Sequence, residues 1–193
     1  RDINKSIYYL SLAANKGFED ALYSLGAIYY NGDYVKKDLK KAIKYFLLAA
    51  DNNSYRAQFY LAMFYLNGVY FQRDITKAIY YLSISADQNF SLAHYCLGTI
   101  YYEANHVKQD IKKSILHFTL AANLNNSEAQ LYLGKLYLYG ENVEKNVNKG
   151  LNYIIQSSQN NNEKANFLLG FLYYEAKHVS RDMKKAIDLM TQA

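Results

Sequence analysis

The same residues return every 36 positions along this chain. A fixed period of about 20 to 50 residues constrains a fold more than any local signal, because every unit must be the same supersecondary element. Ala21, Ala57, Ala93, Ala129 and Ala165 fall in register, followed by Leu25, Leu61, Leu97, Leu133 and Leu169, then Tyr29, Tyr65, Tyr101, Tyr137 and Tyr173. Steps of four place the three on one helical face. Between Leu and Tyr stands a small residue, Gly26, Ala62, Gly98, Gly134 or Gly170, which admits close approach by a second helix.

A turn follows at Gly32, Gly68, Ala104, Gly140 and Ala176, with an apolar plug three residues later at Val35, Phe71, Val107, Val143 and Val179. Asp2, Asp38, Asp74, Asp110, Asn146 and Asp182 then carry the side-chain oxygen that caps a helix start. The helix they open has a small–large–small stripe, such as Ala42, Phe46 and Ala49, and stops at Gly17, Asn53, Asn89, Asn125 and Asn161, residue types that tolerate left-handed backbone. Helices are thus expected near 20–31 and 38–51 in each period, with no strand. Hairpins of this kind cannot bury their apolar faces alone and stack on their neighbours. The expected fold is all-α: a right-handed α-solenoid of stacked antiparallel helical hairpins. One domain spans 1–193, with a lone helix over 1–16 and hairpin repeats over about 17–52, 53–88, 89–124, 125–160 and 161–193. A start at Arg1 reads as an excerpt of a longer protein. In the fourth repeat Gly150 replaces the stripe's Ala, and residues 156–162 are all polar, so helix 146–159 is expected to be the weakest internal element.

The run Ala21 to Ile43, A-x3-L-G-x2-Y-x2-G-x2-V-x2-D-x2-K-A-I, resembles the Sel-one-like repeat, a relative of the tetratricopeptide repeat, and the likeness covers essentially all 193 residues. One departure is that Tyr34, Tyr70, His106, Asn142 and His178 stand where the family usually has a second turn Gly. A bacterial subgroup with paired cysteines in each repeat is linked to β-lactam binding, and a chain whose single cysteine is Cys96 does not carry that feature. The resemblance implies an interaction module whose first helices line a concave groove that holds peptide ligands.

Composition narrows the alternatives. There is no Pro, and hydrophobic residues reach 51%, enough for a core. A net charge of +5 speaks to solubility more than to nucleic acid. No apolar run approaches the roughly 20 residues that span a bilayer. Membrane insertion is therefore not expected, and without a signal segment the cytoplasm is favoured over other compartments. No Gly pair has G-x-G spacing and no H-E-x-x-H occurs, so neither catalysis nor a cofactor has sequence support. His106 and His178 share a turn position two repeats apart and cannot share an ion. His94 and His117 replace unlike residues in other copies and read as boundary side chains, so no metal is expected. Cys96 reads as a packed thiol. Sequons at Asn4, Asn52, Asn89 and Asn125 carry weight only in a secreted parent.

Two surfaces remain as candidates. Lys5, Lys41, Lys77, Lys113, Lys149 and Lys185 form a ladder, with Arg1, Lys37, Arg73, Lys145 and Arg181 four residues earlier. Such a ladder could track phosphates, yet a lysine in the first turn of every second helix reads first as structural. The other surface is the outward face of the first helix, at Tyr23, Tyr30, Phe59, Met63, Leu66, Tyr95, Tyr102, Leu131, Leu138, Phe167, Phe171 and Tyr174. These residues either line a groove for a protein or peptide segment, from another protein or from the parent chain, or pack between successive first helices. The function expected is a non-catalytic interaction scaffold. Its rivals are an architectural spacer and a polyanion binder. Oligomeric state is not legible.

Overall fold

The computed structural model describes residues 2–103 and 107–193. The turn positions Ala104 and His106, and Arg1 of the basic ladder, lie outside the described residues. Eleven helices and no strand occur among those described: α1 Ile3–Ala14, α2 Glu19–Asn31, α3 Leu39–Asp51, α4 Tyr55–Asn67, α5 Ile75–Asp87, α6 Ser91–Glu103, α7 Ile111–Asn123, α8 Ser127–Tyr139, α9 Val147–Gln159, α10 Glu163–Glu175 and α11 Met183–Thr191. The architecture is an all-α solenoid in which helices pack on their sequence neighbours.

Local chemistry explains the boundaries. The carboxylate or amide oxygen of Asp2, Asp38, Asp74, Asp110, Asn146 and Asp182 accepts the backbone N–H three residues on, at 2.9 to 3.2 Å. One of the four donors left open at a helix start is thereby satisfied. The cap's own N–H closes the hairpin by donating to the carbonyl of the recurrent tyrosine, as from Asp38 to Tyr29 at 2.9 Å and from Asn146 to Tyr137 at 2.8 Å. Gly17, Asn53, Asn89, Asn125 and Asn161 all hold left-handed backbone. So do the turn residues Gly32, Gly68, Gly140 and Ala176. At the position where the family favours a second Gly, Tyr70, Asn142 and His178 adopt φ of 71°, 59° and 68° without one.

The chain divides into two compact units, Arg1–Ala93 and His94–Ala193. In the first, Leu22, Ala42, Ile43, Phe46, Ala49, Ala57, Leu61 and Phe64 form one cluster, with Phe71 plugging the turn against it. In the second, Phe118, Ala121, Ala122, Ala129 and Leu133 form one cluster, and Leu138, Ile154, Leu169 and Leu172 another, against which Val179 packs. The small residue of each first helix faces the large residue of the second. A Cβ built on Gly26 would lie 2.7 Å from the Phe46 ring, and one on Gly98 would lie 2.8 Å from Phe118.

The polar fourth repeat packs closely. Gly150 is not a gap left by a missing Ala, because a Cβ there would stand 2.6 Å from the backbone nitrogen of Leu138. The glycine lets α9 approach the α8 backbone. The polar run beyond it is also used: Ser157 Oγ donates to the Ser127 carbonyl at 2.7 Å, Ser158 Oγ to Asn166 Oδ1 at 2.6 Å, and Asn160 Nδ2 to Gln130 Oε1 at 2.9 Å. Helix α9 runs its full 13 residues.

Candidate interaction surface

From Lys41 onward, each ladder lysine meets the recurrent tyrosine twelve residues earlier. Lys41, Lys77, Lys113, Lys149 and Lys185 place Nζ over the rings of Tyr29, Tyr65, Tyr101, Tyr137 and Tyr173, at 5.0, 5.2, 5.2, 3.9 and 5.1 Å from the centroid. The ring quadrupole attracts the cation at this range. Lys5, Lys77 and Lys113 also reach their own cap carboxylates at 3.8 to 3.9 Å. The same tyrosines stack on a ring of the second helix: Tyr29 on Tyr45 at 5.9 Å, Tyr65 on Tyr81 at 5.9 Å, Tyr101 on His117 at 5.9 Å and Tyr137 on Tyr153 at 6.2 Å. The sequence offered the twelve-residue Tyr–Lys spacing as a signal for this arrangement, and the cap hid it. The ladder therefore has a structural use in every described copy.

The twelve first-helix residues divide by burial. In the first unit Tyr23 and Tyr30 are half-buried against Phe46 and Tyr60, with ring centroids 5.7 to 6.4 Å apart, and Tyr30 also reaches Phe64 at 5.6 Å. Phe59 packs edge-on to Phe90 at 5.3 Å, and Met63 and Leu66 are half-buried. In the second unit Tyr95 leans on Phe118 at 5.8 Å and Tyr102 meets Tyr132 edge-on at 5.1 Å. Burial, then the hydrogen bond with Tyr102, raises the Tyr132 hydroxyl pKa; burial likewise raises that of Tyr95.

Leu131 and Leu138, expected to line a groove, are 3% and 0% exposed. Leu138 is core with Ile154, Leu169 and Leu172, a consequence of the close α8–α9 approach at Gly150. Phe167, Phe171 and Tyr174 are 57%, 39% and 48% exposed on α10, the last first helix of the sequence, where no following first helix packs on them as Tyr60 and Phe64 pack on Tyr30. Beside them lies an open cavity of about 530 Å³ lined by Lys135, Glu163, Lys164, Phe167, Leu168, Met190 and Ala193. Charges at the edge of this face pair across repeats, Arg56 with Asp20 at 3.6 Å and Lys164 with Glu128 at 3.5 Å.

Among the described residues no group of three or more His, Cys, Asp or Glu is arranged to hold a metal, and no helix is long and apolar enough to cross a membrane. Burial pushes the Cys96 thiol up to about 11.

The Sel1 repeat model matches residues 1–18, 19–54, 56–90, 91–126, 127–162 and 163–193. The chain belongs to the Sel1 repeat family. Proteins of this family are generally protein–protein interaction scaffolds, and typically non-catalytic. Among solved structures, a Sel1 repeat protein from Oxalobacter formigenes is 27% identical with a TM-score of 0.86, the match covering 96% of this chain and 82% of that one. The protective antigen c5321 of uropathogenic Escherichia coli, which displays the same repeat fold, is 27% identical with a TM-score of 0.80, over 97% of this chain and 40% of that one. Helicobacter pylori cysteine rich protein B is 30% identical with a TM-score of 0.51, over 69% of this chain and 96% of that one. A comparison with curated proteins finds no match.

Proposed function

We propose that this chain is a non-catalytic scaffold that holds a segment of another protein, or of its own longer chain, on the first-helix face. The observation that carries the reading is the set of half-buried aromatics on the first helices, Tyr23, Tyr30 and Phe59 in the first unit and Tyr95 and Tyr102 in the second, each packed on a neighbouring ring with part of its surface left open. Aromatics held on a rigid helix lose little conformational freedom when a partner covers them, which favours binding. Recognition on this face is apolar in character, since Arg56 and Lys164 are matched by Asp20 and Glu128.

The polyanion reading loses support from the lysine ladder, whose ammonium groups lie over tyrosine rings. The test is a set of alanine variants at Phe59, Tyr95 and Tyr102, each assayed for partner binding and for melting temperature. Binding that weakens by on the order of 1–2 kcal/mol per anchor, in variants that stay folded at the assay temperature, supports the scaffold. Lost stability without a binding defect supports a spacer.

A further inference from the structure

Two departures from the repeat pattern meet at one point. Where other copies have Leu22, Gln58, Gln130 and Asn166, one hairpin carries His94; where others have Tyr45, Tyr81 and Tyr153, the same hairpin carries His117. The fold of the second unit brings the two side chains together from α6 and α7. Their Nδ1 atoms are 3.2 Å apart, with ring centroids at 5.4 Å and planes inclined by 34°. His94 is buried and His117 half-buried. Tyr101 stacks on the His117 ring at an interplanar angle of 9°, which fixes its plane. The hairpin does not require this pair, since the other copies close with Gln, Asn or Leu in one place and Tyr in the other.

Neutral imidazole nitrogen is a good donor to Cu²⁺, Ni²⁺ and Zn²⁺. An ion with bonds of about 2.0–2.1 Å separates two tetrahedral donors by ~3.3 Å, close to the spacing of the two Nδ1 atoms. We propose that His94 and His117 form a two-histidine site for a divalent transition-metal ion, bound through both Nδ1 atoms. Two histidines hold an ion less tightly than a closed four-ligand structural site, so the ion is exchangeable. Without an ion, one ring donates its Nδ1–H to the other; binding moves that proton to the second ring nitrogen or to solvent, and both Nδ1 lone pairs then face the metal. Because the ligands come from two helices, the ion pins α6 to α7 and stabilises the folded state by mass action.

The probe is Cu²⁺, which heads the affinity order for nitrogen sites. Untagged protein is titrated with the ion in a non-coordinating buffer, followed by calorimetry and visible absorption. The variants His94→Gln and His117→Tyr install the residues of the sister repeats, which preserves the hairpin. The expected result is one equivalent bound by the unaltered protein, binding at least tenfold weaker in each single variant, and a rise in melting temperature that the double variant lacks. In the unaltered protein one equivalent of Zn²⁺ should shift the imidazole nitrogen resonances of His94 and His117 and leave those of His178 in place. Equal Cu²⁺ binding by the unaltered protein and the double variant would overturn the proposal, as would no uptake at free ion on the order of 100 μM or a Zn²⁺ response confined to His178.

Discussion

At the scale of single residues, backbone conformation was the most legible feature. Gly17, Asn53, Asn89, Asn125 and Asn161 were readable as left-handed helix stops because only Gly and Asn recur there, and each has positive φ. The turns were less legible, since side chains that ordinarily avoid this conformation occupy it. Ala176 ends α10 at φ 55° where the first, second and fourth hairpins use Gly. Ala176→Gly should raise stability by about 1 kcal/mol, as removing the Cβ relieves a conformation costing roughly 1–2 kcal/mol in an L-residue. Urea denaturation at constant slope checks this, and His178→Gly should act in the same direction. Cys96 gives a second residue-scale expectation. Burial moves its thiol from an ordinary value near 9.0 up to about 11. The folded state thus holds the proton more tightly than the unfolded chain, so this group's contribution is intact below about 9.0 and is lost as pH rises toward about 11. At pH 8 its reaction with a disulfide reagent should be much slower than that of the urea-unfolded protein.

At the scale of helices, the sequence located the small–large pairs, while the closeness of their approach needed coordinates. Gly26 faces Phe46, and by the same register Ala62 stands opposite Leu82, so the extra methyl is matched by a smaller side chain. Gly26→Ala alone should cost about 1–3 kcal/mol through overpacking. Combined with Phe46→Leu, the two changes should be less damaging than their sum, which a double-mutant cycle of unfolding free energies measures. Gly150→Ala is the sharper case. Helix propensity alone assigns it a gain of roughly 1 kcal/mol. The contact at 2.6 Å with the Leu138 backbone makes it a loss instead. Thermal melting of that variant separates the two arguments. The stacked Tyr–Tyr pairs under the lysines were invisible in the sequence for a related reason: ring orientation depends on how the two helices of a hairpin cross.

At the scale of the whole molecule, the period alone specified an all-helical solenoid, because a hairpin repeated without insertion has no other way to bury its stripe. Exposure of the first-helix face was not legible. An apolar residue at these positions is the same letter whether it keeps part of its surface open, as Tyr30 does against Tyr60 and Phe64, or is core, as with Leu138. Leu138 fell on the wrong side of that division for want of the α8–α9 distance. The proposal that the first-helix face presents the docking surface is tested most directly by placing a photo-cross-linking phenylalanine analogue at Phe59 or Tyr95, and as a control at Tyr80 or Leu116 on the exposed second-helix face. The account predicts a discrete protein adduct from the first-helix positions, diminished by Tyr102→Ala in protein that stays folded at the assay temperature; adducts of equal yield from Tyr80 and Leu116, or none from the first-helix positions, would contradict it.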